Sequence, residues 1–295
     1  MFKGTGTALL TPFNENNEVD FDSLKKFITL QLENNIDALI ILGTTAESPV
    51  IDHNEREKII AFACEQAQGR MKIIIGTGTN DPRDVVEYNK TAEKFNADGV
   101  LVVNPYYNKG TQESLLKHYQ YISERTDLPI LLYNVPSRTG MNLLPETAVK
   151  IHEACKNVVA IKEASGNISQ IAHLFSIKPE SLKVFSGNDD QTLPIMALGG
   201  NGVISVFSNT FPAEMRSITS AILNNDFNTA RELNNKYLHM MNALFVETSP
   251  APLKYVASKM GLCKNILRLP LDVVSEKSEG ILDEALSVFE TNLRH

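Results

Sequence analysis

The sequence predicts an α/β protein, a (β/α)8 TIM barrel with a C-terminal helical appendage. Three observations carry that prediction. Eight short runs rich in Val, Ile and Leu recur along the first two-thirds of the 295-residue chain. Stretches with helical periodicity separate them, and an alternation of strand and helix builds parallel sheets. After Asn209 the strand signal stops and only helical pattern continues. Eight such crossovers close naturally into a barrel, for which roughly 250 residues is the common size; the doubly wound open sheet is the alternative topology.

In chain order the runs cover residues 5–10, 38–45, 72–79, 99–107, 129–136, 158–165, 183–189 and 202–209, each closing in polar or glycine residues. Most are apolar at consecutive positions, as strands covered on both faces are. Helical patterns at 21–33, 54–68 and 82–95 lie between them, and in the last Val85, Val86, Tyr88, Ala92 and Phe95 approximate one apolar face. From Phe211 onward several helices are expected, broken near Pro250, Pro252 and Pro270. Without a flexible linker before them, residues 225–295 read as a helical extension packed on a catalytic barrel of residues 1–224.

Hydrophobic residues make up 43% and charged residues 21% of the chain, a globular composition. At a net charge of -7 with scattered Lys and Arg, the basic cluster that phosphate backbones require is missing, so nucleic acid is not an expected partner. Cys64, Cys155 and Cys263 lie far apart without C-x-x-C spacing, which argues against a zinc knuckle or a disulfide framework and for a reducing compartment. The stretch up to Phe13 is too short for a signal segment or a membrane span, so a cytoplasmic protein is expected. Gly76-Thr77-Gly78-Thr79-Asn80-Asp81 places Asp where a dinucleotide fingerprint needs its third glycine. P-loop and H-E-x-x-H motifs are missing and the six histidines are dispersed, so neither metal nor organic cofactor is expected.

A closed parallel barrel keeps its active site at the carboxyl ends of the strands, which makes the polar ends of the runs the candidates. Lys162 follows Val158-Val159-Ala160-Ile161, among apolar neighbours where an ammonium is expensive to bury. Strand alternation puts it opposite Ile161 and Glu163; on an inward face, desolvation favours the neutral amine that attacks carbonyls. A structural lysine paired with a carboxylate is the bland alternative. Tyr133 ends the preceding run, beside Lys162, where a phenol can carry protons if a partner returns them. Thr45 and Tyr107 supply hydroxyls from the same rim, against the ordinary alternative of satisfied core aromatics. Gly43-Thr44-Thr45 offers N–H groups and hydroxyls as a carboxylate cradle. Arg138 can grip a second carboxylate in bidentate fashion or be a solvated loop arginine.

Together Gly6-Thr7-Ala8, Thr11-Pro12-Phe13, Gly43-Thr44-Thr45, Asn104-Pro105-Tyr106-Tyr107-Asn108-Lys109, Tyr133-Asn134-Val135-Pro136-Ser137-Arg138-Thr139-Gly140, Ile161-Lys162-Glu163-Ala164-Ser165-Gly166 and Ser186-Gly187-Asn188-Asp189 span the chain. In these motifs it resembles the dihydrodipicolinate synthase (4-hydroxy-tetrahydrodipicolinate synthase) family, within the N-acetylneuraminate lyase superfamily. The lysine motif alone marks only the superfamily; the segment from Tyr133 to Gly140 and the paired tyrosines separate the synthase from sialic-acid and sugar-acid relatives. The resemblance implies a lyase that condenses pyruvate with aspartate 4-semialdehyde in lysine and diaminopimelate biosynthesis, through a covalent imine on Lys162. It further implies that Tyr133 shuttles protons and that Thr45 links it to Tyr107, which reaches in from a neighbouring subunit of a homotetramer built as a dimer of dimers. Thr44 and Thr45 would hold the pyruvate carboxylate, Arg138 that of the semialdehyde, and Gly187 and Ile204 would offer backbone groups.

Two departures from the family pattern stand out. Ala46 replaces a usual Gly, which is tolerable only if the backbone there keeps an ordinary φ. Ser249 stands before Pro250-Ala251-Pro252 where the family often has Asn, which puts any contact of that amide in doubt. The lysine-inhibition pocket of sensitive members corresponds here to His53, Arg56, Asn80, Asp84 and Tyr106. Arg56 and the shorter Asp84 stand where those enzymes tend to have His and Glu, so weak or absent inhibition is expected, because a guanidinium repels an ammonium. The competing readings are an N-acetylneuraminate lyase or keto-sugar-acid aldolase, and a non-catalytic 2-oxo-acid-binding protein.

Overall fold

A computed structural model describes residues 2–293. Among them, eight parallel strands close in sequence order: β1 Gly4–Ala8, β2 Ala38–Ile41, β3 Lys72–Gly76, β4 Gly99–Val103, β5 Ile130–Asn134, β6 Val158–Glu163, β7 Lys183–Ser186 and β8 Gly202–Ser205. Each coincides with one predicted run, β1 beginning a residue earlier than expected. Pairing of β1 with β8 sets the open sheet aside. That seam is tight: a Cβ at Gly202 would lie 1.9 Å from the Gly4 carbonyl oxygen, so only glycine lets the strands meet.

Consecutive apolar positions in the runs resolve into two faces of the barrel wall. Ala38, Ile40, Ile74, Leu101, Leu131, Ala160, Phe185 and Ile204 fill the interior, with Phe2 packed on Phe185 at 4.4 Å between ring centroids. Leu39, Ile41, Ile75, Val102, Leu132, Ile161, Val184 and Val203 face the helices. Both sets are removed from water, which is why the strands read as continuous rather than alternating.

The helical layer comprises α1 Phe21–Glu33, α2 His53–Ala67, α3 Pro82–Lys94, α4 Gln112–Ser123, the single turn α5 Pro136–Thr139, α6 Pro145–Ala154, α7 Ile168–Ile177, α8 Thr192–Ala197 and α9 Pro212–Leu223. Carboxylates and hydroxyls start many of them: Asp20, Asp81 and Thr111 accept from the first turns, and Asp52 and Glu55 form a reciprocal capping box on α2. On β1, the Thr5 hydroxyl meets that of Thr219 on α9 at 2.9 Å. Beyond α9 run α10 Phe227–Ala243, α11 Ala251–Lys259 and α12 Glu276–Leu293. Phe289 of α12 packs on Phe211 and Tyr237 at 4.2 and 5.5 Å, so the C-terminal helices share the outer core. Among the described residues, no helix is long and apolar enough to cross a membrane.

Candidate active site

Strand β6 carries Lys162 inward because Ala160 and Ala164, its neighbours two residues away, also face the barrel interior, while Ile161 and Glu163 face the helices. The parallel register sets Tyr133 of β5 directly beside it. Lys162 Nζ lies 4.4 Å from the centroid of the Tyr133 ring, and the lysine is only 4% exposed. Both line a cavity of about 170 Å³ at the carboxyl ends of the strands. The same cavity receives Thr44, Thr45, Arg138 and Gly187.

Close approach explains the glycine. A Cβ at position 187 would stand 3.0 Å from Lys162 Cε and 2.6 Å from the Cβ of Ala164, so the lysine stem occupies the space a side chain would need. Opposite it, residues Thr44–Ala46 form one tight 3₁₀ turn after β2. Ala46 is not left-handed; the positive φ of 56° belongs to the next residue, Glu47, so the glycine-to-alanine departure meets the condition set for it. Arg138, on α5, donates through Nη2 to the Ser249 carbonyl at 2.9 Å. Because that contact is to backbone, Ser249 makes it as well as an asparagine would.

Three expected positions lie elsewhere. Tyr107, at φ 70° and 91% exposed, points away from the cavity, so the convergence of three hydroxyls on one rim is not made within a single chain. Its left-handed backbone turns the segment out after β4. Ile204, expected to offer backbone rather than side chain, has its side chain fully buried in the apolar interior and is not among the residues that line the cavity. His53 is exposed at the start of α2 and stacks over Tyr88 at 6.3 Å.

Arg56, Asn80, Asp84 and Tyr106 do come together, around a larger adjoining cavity of about 410 Å³ that also includes Thr44, Tyr133 and Arg138 but not Lys162. The Arg56 guanidinium is buried, donates to Gly76 O, Ser48 O and Ser48 Oγ, and lies 4.2 Å over the Tyr88 ring. Burial raises the Tyr106 phenol above its ordinary range. Among the described residues, no group of three His, Cys, Asp or Glu side chains is placed to hold a metal ion.

Behind β4, β5 and β6 lies a buried polar chain that sequence reasoning did not anticipate. Tyr119 Oη donates to Asn104 Oδ1 at 2.8 Å, Asn104 Nδ2 to Asn134 Oδ1 at 3.2 Å, and Asn134 Nδ2 to the Glu163 carboxylate at 3.2 Å. Ser165 N completes it at 2.8 Å from Glu163 Oε1. Burial pushes the Glu163 carboxyl above its ordinary range despite these donors. Asp189, also fully buried, accepts from Val206 N and Phe207 N at 3.1 and 2.9 Å and ties the end of β7 to the turn after β8. Phe245 and Val206 close the small cavity from remote segments, and nothing local in their sequence announces it.

A parallel (β/α)8 barrel whose mouth gathers a lysine amine, a phenol and paired hydroxyls has the architecture of a barrel lyase. The chain belongs to the dihydrodipicolinate synthetase family, whose model matches residues 1–288. It is 48% identical over 289 residues, 97% of this chain and 98% of the relative, to the 4-hydroxy-tetrahydrodipicolinate synthase of Thermotoga sp. (strain RQ2). The crystal structure of the dihydrodipicolinate synthase of Thermotoga maritima superposes with a TM-score of 0.96 at 47% identity, covering 98% of this chain and 99% of that one. A monomeric dihydrodipicolinate synthase variant superposes equally, at TM-score 0.96 and 46% identity over 98% of this chain and 97% of the other.

Proposed function

We infer that the chain is a lyase that condenses pyruvate with aspartate 4-semialdehyde to 4-hydroxy-tetrahydrodipicolinate, in lysine and diaminopimelate biosynthesis, and that it works through an imine on Lys162. Family membership carries the reaction. The chemistry rests on one observation, the Lys162 amine held 4.4 Å from the Tyr133 ring within the small cavity. Nζ attacks C2 of pyruvate, and the carbinolamine loses water to give an iminium. A C3 proton then leaves, and the enamine carbon attacks the aldehyde of the second substrate, whose oxygen takes up a proton. The amino group of that substrate displaces Lys162 from C2, closing the ring and freeing the enzyme.

Tyr133 moves the protons, with Thr45 and Tyr107 of a second copy as its relay. Thr44 and Thr45 hold the pyruvate carboxylate and Arg138, at the mouth, the other one. Gly187 offers its backbone at the cavity wall. The iminium nitrogen is the electron sink, so the reaction calls for neither metal nor organic cofactor. An exposed Tyr107 fits a homo-oligomer, a homotetramer of two tight dimers in the family pattern, and three free cysteines fit a reducing cytoplasm.

The test is to incubate the protein with pyruvate, reduce with borohydride and locate the adduct by mass spectrometry. Label on Lys162 is expected; label on another lysine, or none, would sink the imine. Turnover of aspartate 4-semialdehyde against N-acetylmannosamine then separates the synthase from the sialic-acid lyase reading, which the Arg138 guanidinium and the small cavity disfavour.

A further inference from the structure

The turn that presents Thr44 and Thr45 leaves the site through Glu47, a left-handed residue with φ 56° and ψ 37°. That conformation is disfavoured for any residue carrying a Cβ, and it persists only where the surroundings dictate it. Here the dictating contacts come from the far end of the chain. Glu47 Oε1 accepts from Lys254 Nζ on α11, and Glu47 Oε2 accepts from Arg268 N at 2.9 Å. Lys254 also donates to Ile266 O at 2.8 Å, and its ammonium lies 4.0 Å over the Phe13 ring. Both partners are sealed from water, at 0% and 1% side-chain exposure. Arg268 holds the end of the same loop through Val50 O at 2.8 Å and the first turn of α2 through Glu55 Oε2 at 2.7 Å.

A buried ion pair is a poor device for stability, since apolar replacements of both partners are often neutral or better. What it does here is fix one conformer of one loop. Neither Lys254 nor Glu47 lines either cavity, so neither touches substrate. Their loop nevertheless begins with two residues that do line the small cavity, and α11 begins two residues after Ser249, whose carbonyl anchors Arg138.

We propose that Lys254 and Glu47 are positioning residues: through them the C-terminal extension holds the Thr44–Thr45 turn against the Lys162 amine, so the extension belongs to the active site. The proposal rests on the reading of that turn as the pyruvate-carboxylate cradle. Three variants test it, Glu47→Gln, Lys254→Met and the two combined, each measured for melting temperature, for pyruvate KM and kcat at saturating semialdehyde, and for pyruvate trapping by borohydride. Each single change leaves one buried charge without its partner, so a lowered melting temperature is expected from both. In the double variant no charge is stranded, and the carboxamide oxygen that replaces the Glu47 carboxylate can still accept from Arg268 N.

The double variant is therefore expected to melt above both single variants, below the native chain only by what the Ile266 carbonyl loses with its donor, while its pyruvate KM stays about tenfold above the native value, a separation that lost stability alone does not produce. A folded double variant with native pyruvate KM overturns the proposal. Failure of the unmodified protein to trap pyruvate at Lys162 overturns instead the imine reading of the site, and with it the reading of the turn as a cradle for pyruvate. If the single variants do not fold, the double variant decides alone.

Discussion

Lys162 shows how little room a buried side chain at the barrel mouth is given. Its stem passes against position 187, where even one added carbon meets Lys162 Cε at 3.0 Å and the immobile Ala164 Cβ at 2.6 Å. Gly187→Ala is therefore expected to lower stability by about 1–3 kcal/mol through overpacking. Displacement of the amine adds a loss in kcat/KM of about tenfold or more. Steady-state rates and denaturant unfolding check both, and a fully active variant of native stability would refute the crowding argument. Arg56 illustrates the converse, a charge spent on scaffolding. Its guanidinium is bonded to the Ser48 and Gly76 carbonyls, yet it still lines the larger cavity. A ligand carrying an ammonium would meet that charge in a partly desolvated space, where like charges repel strongly. A titration with free lysine should leave the rate nearly unchanged at sub-millimolar concentrations; strong inhibition there means that the cavity accepts the cation.

At the level of elements, the site depends on the register of β4, β5 and β6. Alternation within the run around Lys162 was legible from its apolar neighbours, and it placed Ile161 and Glu163 on the opposite face as the structure has them. The polar chain from Tyr119 to Glu163 was not, because hydrogen bonds between residues some 30 positions apart leave no periodic trace. Its pH dependence follows from the raised Glu163 carboxyl, whose first cause is burial. A raised folded-state value contributes stability that is intact below the unfolded value and is lost as pH climbs through the folded one. Chemical denaturation of Glu163→Gln and the native chain across pH should then diverge upward from the ordinary value of 4.5, the variant losing less stability. Parallel curves would show that burial does not raise the carboxyl.

For the whole molecule the question is posed by Tyr107, a tyrosine 91% exposed that lines neither cavity. If Tyr107 serves a neighbouring copy, co-expressing Lys162→Ala with Tyr107→Phe chains should restore activity that neither has alone. In a symmetric dimer formed at random, about a quarter of the sites pair an intact lysine with an intact tyrosine. Sedimentation velocity on the same preparation reports the assembly, and an active mixture with no shared sites, or an inactive mixture of well-formed oligomers, would contradict the exchange.

Hydrophobic runs, their helical spacers and the motif residues at the strand ends were enough to specify the barrel, its order and the Lys162–Tyr133 pair, because strand period and parallel register are local consequences of residue type. Only the folded chain decided that Tyr107 faces outward, that Ile204 is packed beneath the site, and that Lys254 grips Glu47 across 207 positions of sequence. Those outcomes depend on which remote segments share a space, and desolvation and packing act on neighbours in space whatever their separation along the chain.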